Sequence, residues 1–168
     1  IGIPYFVALA AGLVLIGMTL ILGAVSGAHL NPAVTIGLWS VRRIKTLPAI
    51  VYIAAQLLGG AAAYLLYTYF VDQSWPNAGK FDSHVLVAEA VGAMIFGMGW
   101  AAAVYQKFTD GARAAVIGIS FMLGVVVASV AAGGMVNPAV ALGMRSWVWG
   151  TFVLGPVLGA IIGFNLYA

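Results

Sequence analysis

One tetrapeptide occurs twice in the sequence, and this internal repeat limits the possible folds more than any other feature. Asn-Pro-Ala-Val is found at residues 31–34 and again at residues 137–140. Asparagine is a favoured helix N-cap, and proline suits the first helical position because its missing N–H would have no partner there. Each copy therefore predicts the start of a helix, one at Asn31 and one at Asn137.

The two predicted helices are too short to cross a membrane. Residues 31–40 and 137–146 are ten-residue segments, and at about 1.5 Å per residue each would be about 15 Å long, half the hydrocarbon thickness of a bilayer. The chain around them is apolar enough for a bilayer, since 64% of its residues are hydrophobic, 7% are charged and the mean hydropathy is +1.10. We therefore expect an integral membrane protein with two half-spanning helices.

Five further apolar stretches are long enough to cross a bilayer as helices. They are residues 4–25, 47–71, 84–105, 112–132 and 146–167. A polar loop at residues 72–83 contains turn-forming residues around Pro76 and Gly79. The sequence thus predicts an all-α membrane domain over residues 1–168, with a first repeat at 1–71 and a second at 84–168.

The number of spans between the two motifs sets the topology. Three spans separate them, so the two half-helices enter from opposite faces, and their asparagine ends meet near the midplane. Basic residues are more frequent on the cytoplasmic side of membrane proteins. Five lie on the side of the first half-helix and two on the other: Arg42, Arg43, Lys45, Lys107 and Arg113 against Lys80 and Arg145. This count predicts that the loop of the first motif is cytoplasmic.

A helix that ends within the membrane leaves backbone groups unpaired, which is tolerated only inside protein or beside a water-filled cavity. The sequence therefore predicts a pore. Both half-helices point their positive N-terminal ends at its centre, which repels cations. The amide groups of Asn31 and Asn137 would donate to a water oxygen there and interrupt a proton-conducting chain. Backbone carbonyls of the approach loops would provide acceptors on either side, at Gly27, Ala28, His29, Leu30, Gly133, Gly134, Met135 and Val136.

The two motifs and their surroundings resemble the aquaporin, or major intrinsic protein, family over nearly the whole chain. The matching segments read SGAHLNPAVTIGLW and GGMVNPAVALG. The resemblance implies six full spans, two half-helices that form a seventh pseudo-span, one pore per subunit and a homotetramer. The pore motif residues would be Asn31, Pro32, Ala33, Asn137, Pro138 and Ala139. Five spans are present here, and the family's first helix would precede Ile1.

The resemblance also implies a second constriction, the selectivity filter, on the extracellular side. Carried over without gaps, its four positions are Ala11, Val125, Gly134 and Val140. In the family the last position is usually arginine, which narrows the opening and repels cations. Valine at this position predicts a wider and more apolar filter. Glycerol facilitators usually carry an aspartate soon after the arginine, whereas Val140 is followed by Ala141 here.

Three polar residues inside the predicted membrane region have structural and functional interpretations. An intramembrane carboxylate such as Glu89 is a functional-site hypothesis by default, but the resemblance implies that it accepts hydrogen bonds from a re-entrant loop. His29 lies on a pore approach, where its backbone carbonyl would line the pore; pH sensing by its ring is the alternative. Gln56 is expected to bond to a neighbouring helix.

The sequence favours a passive channel for water and small uncharged solutes such as glycerol, urea or ammonia. The dispersed acidic residues, the absence of cysteine and the lack of nucleotide-binding motifs argue against an enzyme, a cofactor or a metal site. The small, scattered net charge of +3 does not indicate nucleic acid binding. Two alternatives remain: a secondary transporter with broken helices in inverted repeats, and a non-conducting structural subunit.

Overall fold

The computed structural model describes residues 3–72, 79–131 and 133–168, which are largely helical, with no strand among them. The helices are α1 (Ile3–Ser26), α2 (Pro32–Ser40), α3 (Thr46–Val71), α4 (Ser83–Tyr105), α5 (Asp110–Ala128), α6 (Pro138–Gly143) and α7 (Gly155–Tyr167). A π-helical segment, Trp149–Leu154, leads directly into α7. Residues 73–78 of the predicted polar loop and Ala132 at the end of the predicted fourth span lie outside the described residues.

The predicted all-α membrane architecture is confirmed. Within the described residues, five helices are long and apolar enough to cross a membrane: α1, α3, α4, α5 and the combined Trp149–Tyr167 segment. The last of these begins at Trp149 instead of residue 146. Pro156 lies near the start of α7 and has no N–H for a helical hydrogen bond, so a wider π turn before it is physically reasonable.

The first half-helix has its predicted bounds, whereas the second is shorter than predicted. Helix α2 has nine residues and α6 has six, ending at Gly143 instead of residue 146. Both end in the same way, with an arginine in the left-handed region, Arg42 at φ 59° and Arg145 at φ 54°. The backbone N–H of the following residue then donates to the carbonyl five residues earlier. Arg43 N donates to Leu38 O and Ser146 N donates to Ala141 O, both at 2.8 Å. Counted from the motif asparagine, this closing turn comes three residues earlier in α6 than in α2.

Equivalent positions of the two halves meet where α1 crosses α5. Gly12 and Gly118 each lie nineteen residues before the asparagine of their own motif. A Cβ added at Gly12 would lie 2.8 Å from Gly118 O, and one at Gly118 would lie 2.5 Å from Gly12 O. Small residues allow helix backbones to approach this closely in lipid. The reciprocal contact is the arrangement expected of an inverted repeat.

Each half-helix packs against the last long helix of one half through an equivalent glycine. Gly37 of α2 lies against the ring of Phe164 on α7, and Gly143 of α6 lies against the backbone of Gly60 on α3. Both glycines follow their motif asparagine by six residues. These contacts place each half-helix against one long helix.

Candidate pore site

The two motif asparagines face each other and exchange hydrogen bonds between the halves. Asn31 Nδ2 donates to Val136 O, and Asn137 Nδ2 donates to Leu30 O, both at 2.9 Å. Each Oδ1 accepts from the second residue of its own helix, Ala33 N at 2.8 Å and Ala139 N at 2.9 Å. Because an amide group has two N–H donors, each asparagine keeps one donor beyond this pair of bonds.

The residue before each asparagine adopts an unusual backbone conformation. Leu30 has φ 48° and Val136 has φ 50°, in the left-handed region that is costly for residues with a side chain and rare for β-branched ones. This conformation places their carbonyls against the opposite asparagine, and each carbonyl oxygen keeps a second lone pair beyond that bond. The place of both carbonyls in the predicted acceptor ladder stays a prediction. Leu30 and Val136 each directly precede the asparagine of their motif, and this shared position in the repeat is a signal that could have identified them from the sequence.

Glu89 holds the second approach loop. Its Oε1 accepts from Met135 N at 2.7 Å and its Oε2 from Val136 N at 2.5 Å, and the side chain is fully buried on α4. Hydrogen bonds to a carboxylate are among the stronger ones in proteins. They help to stabilise the strained conformation of Val136, whose carbonyl accepts from Asn31.

Thr35 joins the first motif to the neighbouring residues. It is fully buried, and its Oγ1 lies 3.2 Å from Asn31 O, 3.2 Å from His29 Nδ1 and 3.0 Å from Gln56 Nε2. Gln56 on α3 therefore bonds to the half-helix α2. The His29 ring is fixed in direction by the same hydroxyl group.

A cavity of about 700 Å³ adjoins the motif pair. It is lined by His29, Leu30, Asn137, Ala139 and Val140 and by one face of α3 that includes Ala55, Gly59 and Ala63. Most of its lining is apolar, and the side chains of Gln56 and Asn137 are among its few polar groups. Asn137 is itself buried, so only a small part of it borders this cavity.

The four residues carried over as a filter take different places. Val140 lines this cavity and is 41% exposed. Val125 is buried beside Gly134, whose φ is +63° and where an added Cβ would lie 2.6 Å from Val125 O. Ala11 packs against the hydrophobic core. Val125 and Gly134 are thus neighbours, while Val140 is the member placed on this cavity.

Five apolar helices around two half-helices that meet end to end define a channel-type membrane protein. The profile of the major intrinsic protein family matches residues 4–167. Aquaporin Z of Photorhabdus laumondii is 32% identical over 96% of this chain and 80% of its own length. Aquaporin AqpM of Methanothermobacter thermautotrophicus is 30% identical over 96% of this chain and 74% of its own length. Aquaporin TIP3-2 of Zea mays is 36% identical over 85% of this chain and 59% of its own length.

The chain belongs to the major intrinsic protein family. It is therefore an integral, multi-pass membrane protein of a family of channels for water and small solutes, which are not enzymes.

Proposed function

We propose that this chain forms a passive pore for water and small uncharged solutes and excludes ions and protons where Asn31 and Asn137 meet. The reciprocal hydrogen bonds between the two motifs carry this proposal. They hold both helix N-termini at one point, and the remaining amide donor of each asparagine would meet the permeant there. A water molecule that accepts from both donors turns its hydrogens away from the centre, which breaks a proton-conducting chain.

The proposal extends to the filter. Ala11, Val125, Gly134 and Val140 would form a permissive opening because none of them brings a positive charge or a bulky ring. The exposure of Val140 on the cavity beside Asn137 supports this part. Carbonyls of Gly27, Ala28, His29, Gly133 and Met135 would provide acceptors along the pathway.

Assembly and orientation are part of the same proposal. We expect a single pore domain built of two inverted repeats, residues 1–71 and 84–168, assembled as a homotetramer. The five basic residues on one side favour a cytoplasmic location for the loop of the first motif. Cysteine labelling of Lys45→Cys and Lys80→Cys in intact cells tests the orientation, since the two sites should differ in their access to an impermeant reagent.

Stopped-flow light scattering on proteoliposomes of the full-length protein tests the pore and the filter together. Vesicles receive an osmotic step in sucrose, urea or glycerol, with wild type, Val140→Arg and the matched control Val140→Leu. The arginine variant should conduct water and lose urea and glycerol flux, because it adds bulk, donors and charge at the opening. The leucine variant should keep most solute flux.

The outcomes separate the parts of the proposal. Water flux with unchanged solute flux in Val140→Arg would place the filter elsewhere. Flux that saturates with solute concentration would favour a carrier. Wild-type flux no higher than that of empty liposomes would favour a non-conducting structural subunit.

A further inference from the structure

A second cavity lies on the side of the fold that carries most of the basic residues. Its volume is about 470 Å³. Its lining combines two residues of the first approach loop, Gly27 and His29, with three charged residues, Arg43, Asp110 and Arg113. The three charged residues are exposed, so they lie at the mouth of the cavity.

The deeper lining of this cavity is closely packed. The ring of His29, which also lines the larger cavity beside Asn137, packs against Tyr52 and Trp100 with centroid distances of 4.9 and 5.6 Å. Trp100 Nε1 and Thr19 Oγ1 have almost no exposed surface. The groups of the cavity that can meet a ligand are therefore the charged ones at its mouth.

Basic residues are expected on this side without any ligand. The turns that follow α2 and α4 also carry Arg42, Lys45 and Lys107, as is usual on the cytoplasmic side of membrane proteins. Of these five basic residues, Arg43 and Arg113 are the two that line the cavity. Both are arginines, whose planar guanidinium group matches two oxygens of a phosphate group. Their shared position therefore indicates more than the general charge of this side.

The guanidinium group of Arg43 is oriented and has unused donors. Its Cζ atom lies 4.3 Å from the centroid of the Tyr105 ring. A stack of this kind covers one face of the guanidinium plane and leaves the five N–H groups at its edge accessible. Within the described residues, the Arg43 side chain makes no hydrogen bond or ion pair. Its charge and its donors are thus available to an anion.

The guanidinium group of Arg113 has only a loose partner. Its Nη1 lies 3.6 Å from Asp110 Oδ1, which is longer than a normal hydrogen bond, and the two side chains are 46% and 92% exposed. An exposed ion pair of this length contributes little, so the Arg113 donors can turn to another anion. Two arginines against one carboxylate leave the mouth of the cavity with an uncompensated positive charge.

We propose that Arg43 and Arg113 bind a phosphate group at the mouth of this cavity, supplied by free phosphate or by the headgroup of an anionic lipid. The phosphate oxygens accept from both guanidinium groups, and the negative charge offsets what Asp110 leaves uncompensated. The cavity volume lies within the range of about 300–1,000 Å³ that is usual for small-molecule sites. The site goes beyond the proposed pore function and does not depend on it.

Equilibrium dialysis of radiolabelled orthophosphate tests the site, with the full-length protein in nanodiscs of phosphatidylcholine. Wild type should bind saturably. Arg43→Gln and Arg113→Gln should each raise the dissociation constant at least about tenfold, which is the loss of one charge-assisted hydrogen bond. Arg43→Lys keeps the charge without the planar fork and should lie between wild type and Arg43→Gln.

Arg42→Gln is the matched control. It removes the same charge from the neighbouring exposed arginine, which does not line the cavity. Its dissociation constant should stay within about twofold of wild type, because salt screens exposed charges outside the site.

A second measurement distinguishes the two sources of the phosphate group. Native mass spectrometry of protein from bilayers with phosphatidylglycerol counts the anionic lipids that stay bound. A lipid as occupant predicts that Arg43→Gln and Arg113→Gln lose a bound lipid that wild type and Arg42→Gln keep. Free phosphate as occupant predicts the dialysis result with equal lipid counts. No binding in either assay, or losses in Arg42→Gln as large as those in Arg43→Gln, would overturn the site.

Discussion

Helices α3 and α7 occupy equivalent places in the two halves, but they differ in how much of them is covered. In the most apolar stretch of each, 39% of residues are buried along Trp149–Tyr167 and 6% along α3. Helix α7 packs along α4 and contacts α2, whereas α3 contacts α6 and α2. Within the described residues, the two halves thus share an architecture and differ in what covers their last helix.

The face of α7 that packs on α4 can be compared, residue by residue, with the exposed face of α3. Gly155, Gly159 and Gly163 follow each other every four residues and lie against backbone carbonyls of α4. If Gly60 on α3 is matched to Phe164 on α7 by their contacts with the half-helices, the corresponding residues of α3 are Val51, Ala55 and Gly59. All three line the 700 Å³ cavity. Ala55 and Gly59 are small like their counterparts on α7, so a face that carries small residues packs on a helix in one half and borders a cavity in the other.

The largest effect is expected from a methyl group added on the covered side. A Cβ at position 159 would lie 2.0 Å from Ala90 O, while one at position 59 meets nothing within 4 Å. Gly159→Ala should destabilise the fold by about 3 kcal/mol, because backbone atoms cannot give way easily. Gly59→Ala, a control on the open face of α3, should be within about 0.5 kcal/mol of wild type. Unfolding by SDS in mixed micelles measures both.

The two variants together also test whether α3 and α7 differ in how much of their surface is covered. Equal losses in Gly159→Ala and Gly59→Ala would mean that the α3 face is covered in the full-length protein. A loss confined to Gly159→Ala would show that the difference between α3 and α7 persists in the membrane.

The sequence predicted the parts of this fold that depend on local chemistry. Asn31 and Asn137 cap their helices because asparagine before proline is favourable wherever it occurs. The early end of α6 could not be foreseen, since it depends on Arg145 adopting a positive φ, which no residue type there demands. The position of His29 between two cavities depends on contacts with α3 and α4 that are distant in sequence. Such contacts leave no periodic pattern to read.

The two approach loops offer a second comparison, with an intermediate expected effect. The loop at residues 133–136 is held by both oxygens of Glu89. Glu89→Gln should cost about 2 kcal/mol, because the amide keeps one acceptor and turns a donor toward a backbone N–H. Water permeability should fall with it as Val136 leaves its position against Asn31. The same SDS titration and proteoliposome flux measure this variant, and wild-type stability would mean that the loop is held by its own conformation.

The smallest effect is expected at the loop of the first motif, which is held by weaker contacts. Tyr52 OH donates to Ser26 O at 2.9 Å, at the end of α1 where this loop begins, and Ala28 N donates to Ser26 Oγ at 3.3 Å. Tyr52→Phe removes one neutral hydrogen bond from a half-buried site and should cost about 1 kcal/mol, half the cost of Glu89→Gln. Tyr69→Phe, at an 81% exposed position, is the control. A loss in Tyr52→Phe as large as that in Glu89→Gln would show that the two loops depend equally on one anchor each, and that the asymmetry between the halves is confined to α3 and α7.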